Sequence, residues 1–82
     1  MSTREDTETR EAGKVEAGQI VRFTVPGRVG RITVRTTEPA QFRGQPGQVW
    51  IIGHRVRANE LDAVIATGSW WVGHESTLVE VL

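Results

Sequence analysis

Arg28, Arg31 and Arg35 lie within the eleven residues of the stretch VPGRVGRITVR, positions 25 to 35. A guanidinium group is planar, keeps its charge and matches phosphate oxygens with two parallel hydrogen bonds. A cluster of such groups is typical of a surface that binds RNA or DNA. The alternative is that the arginines are the solvated side of a strand, or that acidic residues of the same chain fold over them and neutralise them.

The formal net charge of the chain is zero, but the charges are unevenly distributed. Residues 1–18 carry three basic and five acidic residues, and residues 19–57 carry seven arginines and one acid. Residues 58–82 carry four acids and no arginine or lysine. This segregation indicates either an anionic partner for the middle of the chain or the pairing of complementary surfaces between chains.

Two alternating segments position the first arginines. In IVRFTV, residues 20–25, and GRITVRT, residues 30–36, apolar and polar residues alternate with period two, which predicts two half-buried strands. Pro26 and Gly27 between them predict a type I or II turn.

The register of this hairpin follows from its loop length. A four-residue loop places Phe23 opposite Ile32 and Arg22 opposite Thr33, whereas a two-residue loop places Phe23 opposite Gly30. The first register matches the apolar residues better. Both registers gather three arginines on the face opposite the apolar residues and leave Arg28 in the loop: Arg22, Arg31 and Arg35.

The remaining segments predict further short strands. Prolines and glycines over 37–47 indicate a loop, and Gly53-His54 predicts a type II′ hairpin turn. Asn59 and the helical spacing that follows it favour a short helix near 60–67, with a strand over 63–67 as the alternative. We expect an all-β fold, a small strongly bent antiparallel barrel of five or six strands over 19–82. Residues 1–18 are poor in apolar residues and predict a disordered tail.

The stretch GQIVRFTVPGRVGRITV resembles the opening of the KOW motif of small Src-homology-3-like barrels in ribosomal proteins and transcription elongation factors. The matching positions lie within residues 18–35 and are Gly18, Val21, Arg22, Phe23, Gly27, Gly30 and Ile32. The segment SWWVGHESTLVEVL also resembles the tryptophan pair and final strand of Src-homology-3 domains. The resemblance implies a Src-homology-3-like barrel.

A nucleic-acid surface of this kind combines arginines with exposed aromatic rings, on which bases stack. Phe42 lies beside Arg43 in the long loop, and adjacent tryptophans on a strand point to opposite faces, so either Trp70 or Trp71 points outward. The predicted nucleic-acid-binding residues are Arg22, Arg31, Arg35, Phe42, Arg43, Arg55, Arg57 and Trp70.

Catalysis and metal binding find little support in the residue types. The chain has no cysteine and two histidines, and neither Ser69 nor Ser76 lies in a nucleophile elbow. We therefore expect no catalytic residue, no cofactor and no metal. No apolar segment predicts a signal peptide or a membrane span, so a cytoplasmic location without membrane contact is expected.

The sequence predicts a non-enzymatic module that binds an anionic partner, RNA or DNA. The alternative is a protein-interaction or assembly module, a ring-forming or phage-type structural subunit, in which the basic middle of one chain contacts the acidic end of a neighbouring copy in a homo-oligomer.

Overall fold

The computed structural model describes residues 8–82, which form one antiparallel sheet of seven strands. The strands are β1 (Glu8–Glu11), β2 (Ile20–Phe23), β3 (Ile32–Thr36), β4 (Gln41–Phe42), β5 (Gln48–Arg57), β6 (Glu60–His74) and β7 (Leu78–Val81), with a single 3₁₀ turn, η1 (Ala12–Lys14). The order across the sheet is β1-β7-β2-β3-β5-β4, and β6 pairs with the other edge of β5. The sheet curls into a half-barrel. The prediction of a small, strongly bent, all-β antiparallel fold is confirmed: six strands, β2 to β7, lie within 19–82 as predicted, and β1 adds a seventh before that range.

The first hairpin has the preferred register. Val21 lies opposite Val34, Arg22 opposite Thr33 and Phe23 opposite Ile32. The N–H of Arg28 donates to the carbonyl of Val25 (3.0 Å), which closes a turn over the Pro-Gly pair. Both registers keep the apolar residues on one face, and the observed one is the register that pairs them with each other, Phe23 with Ile32 and Val21 with Val34.

The core lies on one face of the curled sheet. It is built mainly of valines whose side chains are almost wholly buried, and Ile51 is its largest completely buried member. We call the opposite side of the sheet, which carries Arg22, the outer face. Because opposed residues in an antiparallel pair share a face, the register assigns every strand residue to one side or the other.

The first residues that the structure describes belong to the sheet and not to a tail. Strand β1 pairs with β7 over four residues on each strand, and Ala12 and Val15 are buried in the core. The N–H of Ala12 donates to the carbonyl of Thr77 (2.8 Å). The predicted disordered tail is therefore wrong for residues 8–18, because a few well-placed apolar residues and an available edge of β7 order this segment. Residues 1–7 lie outside the described part of the chain.

Strands β5 and β6 form a long hairpin in place of two predicted elements. The turn lies at Ala58–Asn59, and Gly53 and His54 lie in the middle of β5, so the predicted type II′ turn at these residues is wrong. The predicted helix near 60–67 is also wrong, because Glu60–His74 is one strand. Pairing along the full length of β5 outweighs the helical spacing, which is a weak local preference. In residues 8–82 no helix is long and apolar enough to cross a membrane.

Candidate binding surface

Three predicted arginines share the outer face of the sheet. Arg22 lies opposite Thr33 and donates from Nε to its hydroxyl (3.4 Å). Arg35 lies on the same side of β3 as Thr33, and Arg31 immediately precedes β3. The clustering of the three on one side agrees with the prediction from alternation.

An acid of the closing strand lies across two of these arginines. Glu80 on β7 is opposite Arg22 in the β2–β7 register, and its Oε1 lies 3.8 Å from Nη1 of Arg22. The same oxygen accepts a hydrogen bond from Nη1 of Arg31 at 2.7 Å. One carboxylate thus bridges two guanidinium groups and neutralises part of the basic face within the molecule.

Arg35 is paired as well, with the start of β6. Its Nη1 lies 3.6 Å from Oδ1 of Asp62 and 3.4 Å from the carbonyl oxygen of Leu61. The Asp62 side chain is fully exposed, so water screens this pair strongly. The acidic end of the chain therefore folds over the basic middle, which is the alternative that charge patterning left open.

Arg55 and Arg57 do not extend this cluster. Arg55 lies opposite Val34, a core residue, and so occupies the face away from Arg35. Arg57 is the last residue of β5 and lies opposite Glu60. Arg55 and Arg57, which the sequence predicts as binding residues together with Arg22, Arg31 and Arg35, therefore do not form one continuous cluster with them.

Phe42 and Arg43 also separate. Phe42 lies opposite the buried Val49, and a side chain added at Gly13 would meet its ring, so Phe42 is on the core side near η1 although it is exposed. The guanidinium carbon of Arg43 lies over the ring of Trp50, 5.8 Å from the centroid. This distance is within the range of a cation–π contact.

The two adjacent tryptophans point to opposite faces, as predicted, but the outward one is Trp71. Trp70 lies opposite Ile51 and packs against the core. Trp71 lies opposite Trp50 and is exposed. The selection of Trp70 as a stacking residue is therefore wrong, because the register of β6 against β5 decides which tryptophan faces out and that register was not known.

A groove on the outer face brings several of these residues together. It has a volume of about 360 Å³ and is lined by Arg43, Gly44, Gln45, Gln48, Trp50 and Trp71. The indole N–H of Trp71 donates to Oε1 of Gln48 (2.8 Å), which satisfies the polar atom of the ring. We call this site the tryptophan groove. Of its residues, sequence reasoning selected only Arg43 for the site; the alternation of Trp50 with buried Val49 and Ile51 was the available signal.

Strand β6 has one edge that faces away from β5. Within residues 8–82, β6 pairs with β5 alone, so its other edge lacks a neighbouring strand. Residues 63–73 contain no charged residue. The pairing with β5 is regular from Ala66 to Trp71 and shifts register on either side. We call residues 66–71 the β6 edge; Ile65 and Val64 next to it are about half exposed.

Comparison of the chain with protein-family models, with curated proteins and with solved structures found no match. The resemblance to KOW and Src-homology-3-like barrels therefore stays a prediction.

Proposed function

We propose that this chain is a non-enzymatic protein-interaction module that binds through the β6 edge and the adjacent tryptophan groove. The observation that carries the proposal is the uncharged, regular and unpaired strand segment 66–71. An edge of this kind presents unpaired N–H and C=O groups that a partner strand can use.

The composition of the edge supports binding because the usual protections are missing. Proteins commonly guard a free edge with lysine, proline, an inward-pointing charge or a very short strand. Strand β6 has fifteen residues, and the segment 63–73 has neither a proline nor a charge. A partner strand therefore meets neither a charge nor a proline along this segment, and the backbone is regular over 66–71.

The tryptophan groove supplies the side-chain contacts that backbone pairing lacks. Trp71 belongs to the β6 edge and also lines the groove, next to Trp50 and Arg43. Tryptophan and arginine are enriched among the residues that dominate binding energy at protein interfaces. Strand addition then provides affinity through main-chain hydrogen bonds, and the groove provides specificity.

The intramolecular ion pairs argue against assembly driven mainly by complementary charge. Glu80 already contacts Arg22 and Arg31 of its own chain. A neighbouring copy that competed for these groups would exchange one exposed pair for another, with little net gain. Binding at the β6 edge does not require these groups and should depend only weakly on salt.

The test is site-specific photo-cross-linking in the cells that make the protein. A photoreactive phenylalanine derivative replaces Trp71 in one variant and Val29, a fully exposed residue of the β2–β3 loop, in the other. We expect a discrete protein adduct from position 71 that Gly68→Lys abolishes, and none from position 29. Equal labelling from both positions, or an adduct indifferent to Gly68→Lys, contradicts the proposal.

The second candidate is RNA or DNA binding, favoured by one observation, the placement of Arg43 beside Trp50 and Trp71. Stacked bases and a guanidinium near the backbone are what single-strand binding uses. Titration of a fluorescent oligonucleotide at several salt concentrations tests it. Phosphate binding predicts affinity that falls as salt rises and a shallower dependence in Arg43→Gln. Absence of binding at low salt excludes this candidate.

A further inference from the structure

We propose that the partner of the β6 edge is a second copy of this chain. The two β6 strands pair antiparallel about a two-fold axis that lies between the two copies of Gly68. The inference rests on the proposed function and names its partner. It makes the chain a two-fold symmetric dimer in which two seven-stranded sheets join through their β6 strands into one continuous sheet.

Geometry restricts the registers that two identical strands can adopt. Antiparallel pairing places residues of the same face opposite each other. A two-fold axis normal to the sheet must therefore lie between the two copies of one residue, so that this residue is opposite itself. An axis at Gly68 places Thr67 opposite Ser69 of the second copy and Ala66 opposite Trp70 of the second copy. Each combination occurs twice: a hydroxyl pair on the outer face, and a small residue beside a large one on the core side.

The exposed apolar residues around the β6 edge are related by the same axis. Ile65 and Trp71 lie three positions before and after Gly68, so the axis brings Ile65 of each copy beside Trp71 of the other. Both side chains are exposed in the isolated chain, at 51% for Ile65 and 38% for Trp71. Self-pairing therefore covers part of the apolar surface that folding of one chain leaves in water.

The nearest charged or titratable residues outside the uncharged segment are also compatible with this arrangement. Asp62 lies six positions before Gly68, and His74 lies six positions after it. Antiparallel pairing brings an acid of one copy to the same end as an imidazole of the other. A parallel arrangement would instead place Asp62 beside Asp62 and His74 beside His74, which opposed strands disfavour.

Gly68 itself leaves room at the axis. An added Cβ atom there would meet no heavy atom within 4 Å, and the residue opposite it on β5 is Gly53. A side chain at position 68 therefore points into open space in the single chain. In the dimer the two side chains at position 68 would lie next to each other, with Cβ atoms about 4.5–5.5 Å apart.

This closeness gives a charge-swap experiment. Gly68→Glu and Gly68→Lys each place two like charges at the axis, and Gly68→Gln is the neutral control of matched size. Sedimentation velocity over a range of protein concentrations measures the dimer Kd, and circular dichroism confirms the fold of each variant. We expect the dimer Kd to rise at least about tenfold for each charged variant and to return near the Gly68→Gln value when the two are mixed in equal amounts.

Each other outcome overturns the inference. A wild-type chain that stays monomeric up to about 100 μM does not pair with itself at any useful affinity. If both charged variants still dimerise like the Gly68→Gln control, the dimer forms elsewhere. If both charged variants lose the dimer and their mixture does not restore it, the axis lies at another residue. These failures leave the proposed function open, because that function is judged by cross-linking from position 71 to any protein.

Discussion

Gly53 and Gly68 face each other across β5 and β6, but the structure predicts opposite effects for the same substitution at the two positions. A Cβ atom at Gly53 would collide with the carbonyl oxygen of Arg35 and would lie 2.8 Å from Cα of Thr36. The obstacle is the backbone of β3, which cannot rotate away as a side chain can. A Cβ atom at Gly68 would meet nothing within 4 Å.

The expected change in the free energy of unfolding follows from these distances. Gly53→Ala forces β3 and β5 apart, and overpacking of this kind costs about 1–3 kcal/mol, occasionally more. Gly68→Ala restricts the unfolded chain without a clash and should stabilise by about 0.4–1 kcal/mol. The two variants should therefore differ by about 1.4–4 kcal/mol, against a total stability on the order of 5–15 kcal/mol.

Urea denaturation followed by tryptophan fluorescence measures this difference. With an m-value of about 1 kcal/mol/M for a small domain, the two midpoints should lie about 1.4 M or more apart. Both variants are measured at one low protein concentration, because association would raise apparent stability. If Gly53→Ala unfolds within about 0.5 kcal/mol of Gly68→Ala, the close approach of β3 and β5 at Gly53 is wrong.

Two further substitutions test the packing of residues 8–18 and the ion pairs of β7. Val15→Ala should lower the free energy of unfolding by about 1–3 kcal/mol because Val15 is buried. Val29→Ala, at a fully exposed position, should change it by less than about 0.5 kcal/mol. Equal values for the two variants in urea denaturation would show that residues 8–18 do not pack on the core. Glu80→Gln should lower the free energy of unfolding by about 0.2–1 kcal/mol, because it removes the ion pairs with Arg22 and Arg31. Since it frees these two arginines, it should also raise the affinity for a generic oligonucleotide at low salt. Unchanged oligonucleotide affinity in a fluorescence titration would show that these arginines take no part in anion binding.

The first hairpin could be predicted from the sequence because every signal in it agrees. Val21 and Phe23 alternate with polar residues, as do Ile32 and Val34, and a proline-glycine pair separates the two segments. The register with a four-residue loop pairs Phe23 with Ile32 and Val21 with Val34, and this match favours it over the two-residue loop. The result was the observed pairing of β2 with β3.

The long hairpin could not be predicted because its local signals conflict with its tertiary setting. Gly53 is a turn former by type, but here it serves the close approach of the β3 backbone. Residues 60–67 have helical spacing, yet each residue in the regular part of β6 pairs with a residue of β5. Which of Trp70 and Trp71 faces out depends on this pairing, and so did the location of the tryptophan groove.

The charge pattern of the chain was compatible with the ion pairs on the outer face but did not predict them. Segregated arginines and acids are compatible with an external anionic partner and with contacts inside one molecule. Only the position of β7 beside β2, which brings Glu80 to Arg22 and Arg31, distinguishes the two. The order of strands in a sheet is a long-range property that composition and periodicity do not contain.

The availability of the β6 edge is most directly measured by residue-resolved amide hydrogen exchange on the monomeric Gly68→Glu chain. Antiparallel pairing on one side only predicts that alternate amides between Ala66 and Trp71 exchange near their intrinsic rates while the intervening ones, bonded to β5, are protected. Uniform protection along this segment would mean that the edge is already covered. Uniformly fast exchange would mean that β6 does not hold its pairing with β5. Either result would contradict a preformed, unpaired edge as the binding surface.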